Sequence, residues 1–340
     1  MSVMAVRMRR VLVLAKRSAY DMYVARHQDP SFTRFLSEPQ AMQVLSNSSH
    51  QHEYGSIQMV GNLQDRHRVH EHTVRLCKDV LSRRQAHIQF EMHLRDELQS
   101  PIRDIDLVIT VGGDGTLLQA SHYLDSSIPV LGVNSDPTQI DEVEENLGRF
   151  DANRSSGHLC GATAENFEQM LDDILNGTME PAEVTRIATF IDGVKIDTPA
   201  LNDILIAHPS PAAISRCSFS IEKQSTEELL IPVIHSRSSG LRISTATGST
   251  AAMKSAGGTV MPLLSSKLQY MVREPNSPHP KYTSFLKGFV EDDHVLQVDW
   301  RSRKGIIYVD GSHLCYPISF GSKIGVSNCA PPLRIFWAQK

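Results

Sequence analysis

The chain has 340 residues, 41% hydrophobic and 21% charged, with a formal net charge of −4. That balance is globular rather than disordered, and at ~150 residues per domain the length allows roughly two cores. The weak negative charge gives no general attraction to nucleic acid or to an anionic membrane, so an anionic ligand has to be held by local groups.

Arg7, Arg9 and Arg10 precede the apolar run Val11-Leu12-Val13-Leu14, which is too short for a signal core or a membrane span and reads as a first β-strand. With so little chain ahead of that strand, the expected location is cytoplasmic. Ala338-Gln339-Lys340 is not a Ser-Lys-Leu-type peroxisomal address. Residues 31–69, rich in Ser, Gln, His and Asn, read as a solvated helix or mobile loop ahead of a helix at 71–81. His50, His52, His67, His70 and His72 lack H-E-x-x-H spacing, which points to a solvated surface rather than a metal site. Further strands are expected at 87–90, 107–111 and 129–133, spaced by longer polar or amphipathic stretches as in a parallel sheet with crossover helices.

A helix at 164–175 follows, with Thr163 as N-cap and Gly177 at its stop. Beyond it the texture changes to strands: 184–191 turning through Asp192-Gly193, a dipeptide suited to a tight hairpin, then 201–207, 214–221, 241–245, 268–272, 295–300, 305–309 and 333–337. These elements predict an N-terminal Rossmann-like α/β domain over residues 1–162 and a β-rich, sandwich-like domain over 183–340, whose last strand is free to pack back on the first domain. The cysteines, Cys77, Cys160, Cys217, Cys315 and Cys329, are odd in number and contain no C-x-x-C pair, so reduced thiols are expected.

The strand at 107–111 runs directly into Gly112-Gly113-Asp114-Gly115-Thr116 and then a helical stretch from Leu117. This puts the loop at the carboxyl end of a buried strand, where open α/β sheets bind ligands. Glycines let the backbone approach an oxyanion, and N–H groups at a helix start can face phosphate oxygens. A carboxylate beside a phosphate is unfavourable unless it accepts a proton or helps to hold Mg2+. The plain alternative is a turn in which Asp114 bonds its own backbone. Neither a Walker A sequence nor a G-x-G-x-x-G fingerprint is present. Two further candidates are Asn202-Asp203, alternatively a buried strand-end network, and residues 239–252, a strand ending in the hydroxyl-rich turn Thr247-Gly248-Ser249-Thr250 with a helix starting near Ser249.

The Gly-Gly-Asp-Gly-Thr loop resembles those of NAD kinases, of diacylglycerol and sphingosine lipid kinases, and of phosphofructokinases. Its continuation, Leu117-Leu118-Gln119-Ala120-Ser121, is similar to NAD kinases, whereas lipid kinases carry an Asn-Glu pair there. Asn202-Asp203 and residues 239–252 resemble the second and third NAD kinase motifs, in the same order. The resemblance spans residues 11–333, and stretches 132–137, 154–159, 238–240 and 272–275 are similar to the plant-type NADH kinase branch. Ala246 and Ala252 replace the wider family's Pro and Tyr, and Ser239 its Asp. The resemblance implies an NAD-kinase-like fold and transfer of the ATP γ-phosphoryl group to the adenosine-ribose 2′-hydroxyl of NADH or NAD+, giving NADPH or NADP+. Asp114 would be the general base. Gly112, Gly113, Gly115 and Thr116 would hold nucleotide beside it, and Asn202, Asp203, Arg237, Ser239, Thr247, Gly248, Ser249, Thr250, Ala251 and Ser255 the dinucleotide. Mg2+ would come bound to ATP, with no protein metal ligands, and the assembly would be a homodimer without nucleic-acid or membrane partners. A lipid kinase and a non-catalytic dinucleotide-binding regulator are the alternatives.

Overall fold

Strands buried on both faces need cover above and below, and runs of uninterrupted Val, Ile and Leu supply them. The computed structural model describes residues 9–26, 51–145, 147–148 and 152–337. The described residues form two compact units, one within Met1–Ala120, Val130–Glu180 and Phe336–Lys340, the other within Ser121–Pro129 and Pro181–Ile335.

The first unit runs β1 (Arg10–Ala15), α1 (Ala19–Arg26), α2 (Gln51–Ser82), β2 (Gln89–Leu94), β3 (Leu107–Gly112), α3 (Asp114–Ser121), β4 (Val130–Asn134), α4 (Ile140–Glu145), β5 (Ala162–Thr163) and α5 (Phe167–Leu175). Parallel pairing gives the order β2-β1-β3-β4-β5. The chain leaves β1 for β2 on one side and returns to β3 on the other, so the strand order reverses between β1 and β3. A crevice at the carboxyl ends of such a pair is the usual ligand position in this class of sheet.

α5 buries Phe167, Met170, Leu171 and Ile174, the i, i+3, i+4, i+7 stripe of an amphipathic helix, and these pack with Cys77 and Leu81 of α2 against Leu107, Ile109, Leu131 and Val133. Burial pushes the Cys77 thiol up to about 12. None of the five cysteines, all among the described residues, forms a disulfide.

The second unit contains β6 (Ala182–Val184), β7 (Ala188–Ile191), β8 (Val194–Lys195), β9 (Asp203–Ala207), β10 (Ser215–Lys223), β11 (Leu229–Ser238), β12 (Gly240–Ser244), α6 (Ala252–Ser255), β13 (Leu268–Arg273), β14 (Lys287–Val290), β15 (His294–Trp300), β16 (Lys304–Val309), β17 (Leu314–Ser319), β18 (Lys323–Ser327) and β19 (Leu333–Phe336). One six-stranded sheet has the order β11-β10-β15-β18-β7-β8 and the other β14-β13-β12-β9-β16-β17. They share one core, with Ile204, Ile206, Ile243 and Tyr270 from one sheet meeting Phe219, Val298, Trp300 and Val326 from the other, the arrangement of a β-sandwich. Strands β6 and β19 pair antiparallel.

Several elements differ from their sequence-based expectation. The strand expected at 184–191 is two strands, because Arg186 is buried between them and donates to the carbonyls of Ser121, Leu124, Pro331 and Pro332. Asp192 and Gly193 take φ of 51° and 81°, as a hairpin turn of that type requires. Strands β11 and β17 contain Pro232 and Pro317; both lie at sheet edges, where a missing N–H is tolerated. Asn166 rather than Thr163 precedes α5, and its Oδ1 accepts the Thr163 N–H at 2.7 Å while Thr163 ends β5. Residues 51–69 belong to α2, while 31–50 lie outside the described residues. No helix among the described residues is long and apolar enough to cross a membrane.

The histidine group is not uniformly a solvated surface. His50 lies outside the described residues, His72 is exposed, but His70 is only 2% exposed. Its ring nitrogens meet Ser135 Oγ at 2.8 Å and the Lys16 carbonyl at 3.0 Å, joining α2 to the exits of β4 and β1. Burial, assisted by the Lys16 charge, lowers the His70 pKa below its ordinary 6.5, against the opposing bond to the Lys16 carbonyl and the Glu71 charge. The unfolded chain therefore takes up this proton first as pH falls. Thermal unfolding followed by circular dichroism is expected to show stability fully present above pH 6.5 and declining as pH drops from there through the folded value. His70→Gln should flatten that part of the profile.

Candidate functional site

In the first unit, β3 is buried along its length and ends at Gly112, after which α3 begins at Asp114. A Cβ on Gly112 would lie 2.1 Å from Thr116 Oγ1, and one on Gly113 2.3 Å from Ser155 Oγ. Neither residue has a positive φ. These two glycines are therefore required by close packing within the turn, whereas a Cβ on Gly115 would have no atom within 4 Å. Gly115 is the position where the loop leaves its backbone open.

Asp114 is half-buried, and its carboxylate does not close on its own turn. Oδ2 accepts the His158 N–H at 3.0 Å and the Ser156 hydroxyl at 3.2 Å; Oδ1 accepts the Leu159 N–H at 2.9 Å and lies 3.8 Å from Cys160 Sγ. The loop that supplies these donors turns at Gly157, whose φ is +60° and where a Cβ would approach Asn134 Nδ2 to 2.5 Å. Main-chain donors fix the orientation of the carboxylate. The hydroxyl and thiol can rotate away, which leaves lone pairs that an incoming hydroxyl can use.

In the second unit, Asp310 organises the Asn202-Asp203 motif. Its side chain is buried; Oδ1 accepts the N–H groups of Asn202 at 2.7 Å and Asp203 at 2.9 Å, while Oδ2 accepts that of Leu201 at 2.8 Å and meets His122 Nε2 at 2.9 Å. The 245–249 segment docks on the same turn. Thr245 and Thr247 hydroxyls donate to the Leu201 carbonyl, and a Cβ on Gly248 would lie 2.1 Å from the Asn202 carbonyl oxygen.

Thr247 and Ser249, expected to hold the dinucleotide, have their hydroxyls turned into this segment. Both are buried, and Ser249 Oγ donates to the Ala246 carbonyl at 2.6 Å. Their hydroxyls hold the turn together. The Thr250 hydroxyl donates to the Thr247 carbonyl at 3.2 Å, and Ala251 and Ser255 are exposed. In place of the helix expected near Ser249 there is a 3-10 turn, Gly248–Thr250, and the single-turn α6.

The Asn202 side chain is different, because its Oδ1 is buried and makes no hydrogen bond. An unsatisfied buried carbonyl oxygen costs ~1–3 kcal/mol, and a ligand N–H or O–H would relieve it. Asp203 is 9% exposed and paired with Arg242. Burial pushes its pKa above the usual carboxylate range, with the Arg242 charge and hydrogen bond pulling the other way. Arg242 lines a cavity of about 460 Å3 with Ser255, Met271, Arg273 and Glu274. The Ser239 hydroxyl donates to Glu274, and the Arg273 and Glu274 side chains are 3.8 Å apart. Arg237, exposed on β11, lines a different cavity with Arg216, His235 and Tyr282. The motif reading missed Asp310, His122 and Arg242, and it singled out the stretch 154–159 without its contact to Asp114. Asp310-Gly311 follows an apolar strand much as Asp114-Gly115 does, and Arg242 interrupts Leu241 and Ile243; both were signals.

A parallel sheet with a fixed carboxylate at its reversal point, in a chain that also carries paired antiparallel sheets, is the architecture of a class of nucleotide-dependent phosphotransferases. Residues 4–136 match the ATP-NAD kinase N-terminal domain. The chain is 52% identical over 273 residues to a probable NADH kinase of Oryza sativa subsp. japonica, covering 80% of this chain and 83% of that relative. It is 50% identical over 279 residues to the NADH kinase of Arabidopsis thaliana, covering 82% and 87%. A crystal structure of an NAD kinase from Archaeoglobus fulgidus in complex with ATP shares the fold, with a TM-score of 0.59 and 18% identity over 96% of this chain and 93% of its own. The chain belongs to the NAD kinase family.

Removing the Asp310 carboxylate would strand three main-chain N–H groups. Asp310→Ala is expected to lower stability by about 3 kcal/mol or more, measured by urea unfolding, and to weaken dinucleotide binding through loss of the 201–203 turn.

Proposed function

We propose that this chain phosphorylates the adenosine-ribose 2′-hydroxyl of NADH and NAD+ with ATP, giving NADPH and NADP+, with NADH the preferred substrate. The kinase activity is supported by the family and by relatives named NADH kinase at 50% identity or more. The observation that carries the residue assignment is the Asp114 carboxylate, fixed by two main-chain N–H groups and otherwise contacted by donors that can rotate aside.

In this reading the ribose 2′-hydroxyl takes the place of the Ser156 hydroxyl at Oδ2. Its proton passes to Asp114 as its oxygen bonds to the γ-phosphorus, and the bond to the β,γ-bridging oxygen breaks to release ADP. Positioning and charge neutralisation do most of the work in such a transfer. Gly115 leaves room for a phosphate beside the start of α3. Asn202 Oδ1 receives a donor from the adenosine half, Asp203 and Thr250 are assigned to the dinucleotide by resemblance, and Ala251 and Ser255, both exposed, offer it a surface. Arg237 and Ser239 are assigned to the nicotinamide half by resemblance.

The described residues contain no cluster of three or more His, Cys, Asp or Glu side chains able to hold a metal ion. Mg2+ is assigned to the phosphates of ATP, where it would neutralise charge. A homodimer, on the strength of the family resemblance, and a cytoplasmic location, in keeping with cysteines that form no disulfide, complete the proposal.

Asp114→Asn keeps the side-chain size and removes the base, so turnover is expected to fall ~10²–10⁴-fold with folding and dinucleotide binding retained. Near-normal turnover in a folded variant would end the assignment. Gly115→Ala is expected to leave the melting temperature unchanged and to raise KM for ATP. Coupled assays of ATP with NADH, NAD+ and diacylglycerol should give the highest kcat/KM for NADH; phosphorylation of the lipid alone would overturn the reading.

A further inference from the structure

We propose that Lys16 and Arg95, at the carboxyl ends of β1 and β2, grip the phosphates of ATP. The inference rests on the kinase reading and deepens it by naming two side chains outside the three sequence motifs.

The sheet order makes the placement specific. β1 is flanked by β2 on one side and β3 on the other. Lys16 is the first residue beyond β1, and its N–H donates to the Val111 carbonyl of β3 at 3.0 Å. Arg95 is the first residue beyond β2, and its Nη1 donates to Thr116 Oγ1 in the Gly-Gly-Asp-Gly-Thr turn at 3.3 Å. A guanidinium that reaches from the end of β2 to the turn after β3 has to pass across the end of β1, where Lys16 emerges. Two cations are thus gathered at the reversal point of the sheet, beside the glycine turn.

Both are incompletely partnered. The buried Nε of Arg95 makes no hydrogen bond; Asp96 stands 3.7 Å from it and is already joined to Arg17 at 3.3 Å. The Lys16 ammonium makes no hydrogen bond or ion pair among the described residues, although its carbonyl receives His70. Its surroundings carry charge of both signs. Burial presses its pKa below the ordinary lysine value, Asp136 opposes this, and Arg95 and Arg66 reinforce it. Asp136 is itself committed to Arg154 at 2.9 Å, and Arg154 also engages Glu142. Lys16 is nevertheless reachable, since it lines a cavity of about 420 Å3 with His70, Met92 and Leu94, together with the carboxylates Asp21, Glu71 and Glu97.

Desolvated cations held close together are unfavourable in the free protein, and a polyanion arriving between them relieves that cost. Arg95 supplies a planar donor set and Lys16 a point charge, complementary ways of meeting phosphate oxygens. A triphosphate fits this demand. The neutral ribose hydroxyl that is to be phosphorylated does not.

The test uses the full chain and the variants Lys16→Met, Lys16→Arg and Arg95→Gln. ATP is titrated into each with Mg2+ present by isothermal calorimetry, and KM is measured separately for ATP and for NADH. Loss of one charge-assisted bond to phosphate is expected to weaken ATP binding about tenfold to a hundredfold in Lys16→Met and Arg95→Gln. KM for NADH should stay unmoved, and Lys16→Arg should recover most of the affinity. Unchanged ATP affinity in both charge-removing variants would overturn the inference, as would equal losses for ATP and NADH. Should Lys16→Met fail to fold, Arg95→Gln and the arginine variant decide. If the unsubstituted chain binds ATP but phosphorylates no dinucleotide, the kinase reading falls, while weaker ATP binding in the variants still supports the clamp.

Discussion

Carboxylates that receive main-chain N–H groups from distant loops fix both functional segments. Asp114 accepts from His158 and Leu159, and Asp310 from Leu201, Asn202 and Asp203. An ionised carboxylate is an acceptor on both oxygens and can satisfy several N–H groups of a tight turn at once, which no hydroxyl or carboxamide can match. Around these two anchors the remaining contacts follow: Gly157 for the turn that serves Asp114, and Gly248 with Thr245 and Thr247 for the turn held by Asp310.

The chain is mildly acidic as a whole, yet three cations gather at the carboxyl ends of β1 and β2. Arg66 and Arg95 act on Lys16 there, and Asp136, which opposes them, is committed to Arg154. A net charge averaged over 340 residues therefore says little about what the sheet edge attracts. Distance and desolvation decide, because a partly buried pair is screened far less than an exposed one.

The third motif divides between structure and surface. Its hydroxyls at Thr245, Thr247 and Ser249 are buried in the turn, where leaving a donor unpaired would be costly. Ala246, standing where the wider family carries Pro, lies in the same buried turn and its carbonyl receives Ser249. Ala252, in place of Tyr, is exposed at the start of α6. The two departures thus bear on different things, the first on the rigidity of the turn and the second on the surface offered to a ligand.

The amino-acid sequence by itself determined the parallel strands, the hairpin at Asp192-Gly193, and the glycine turn that presents Asp114. These are local properties, written in runs of β-branched residues and in turn chemistry that depends only on neighbours. Tertiary structure alone decided where Asp114 finds its donors, 42 to 46 positions away, and that Asp310 orders a turn more than a hundred positions earlier. It also buried His70 from a polar stretch and set Pro232 and Pro317 in edge strands. Periodicity reports which face of an element is covered; which distant group covers it depends on strand order and packing, and neither leaves a local mark in the sequence.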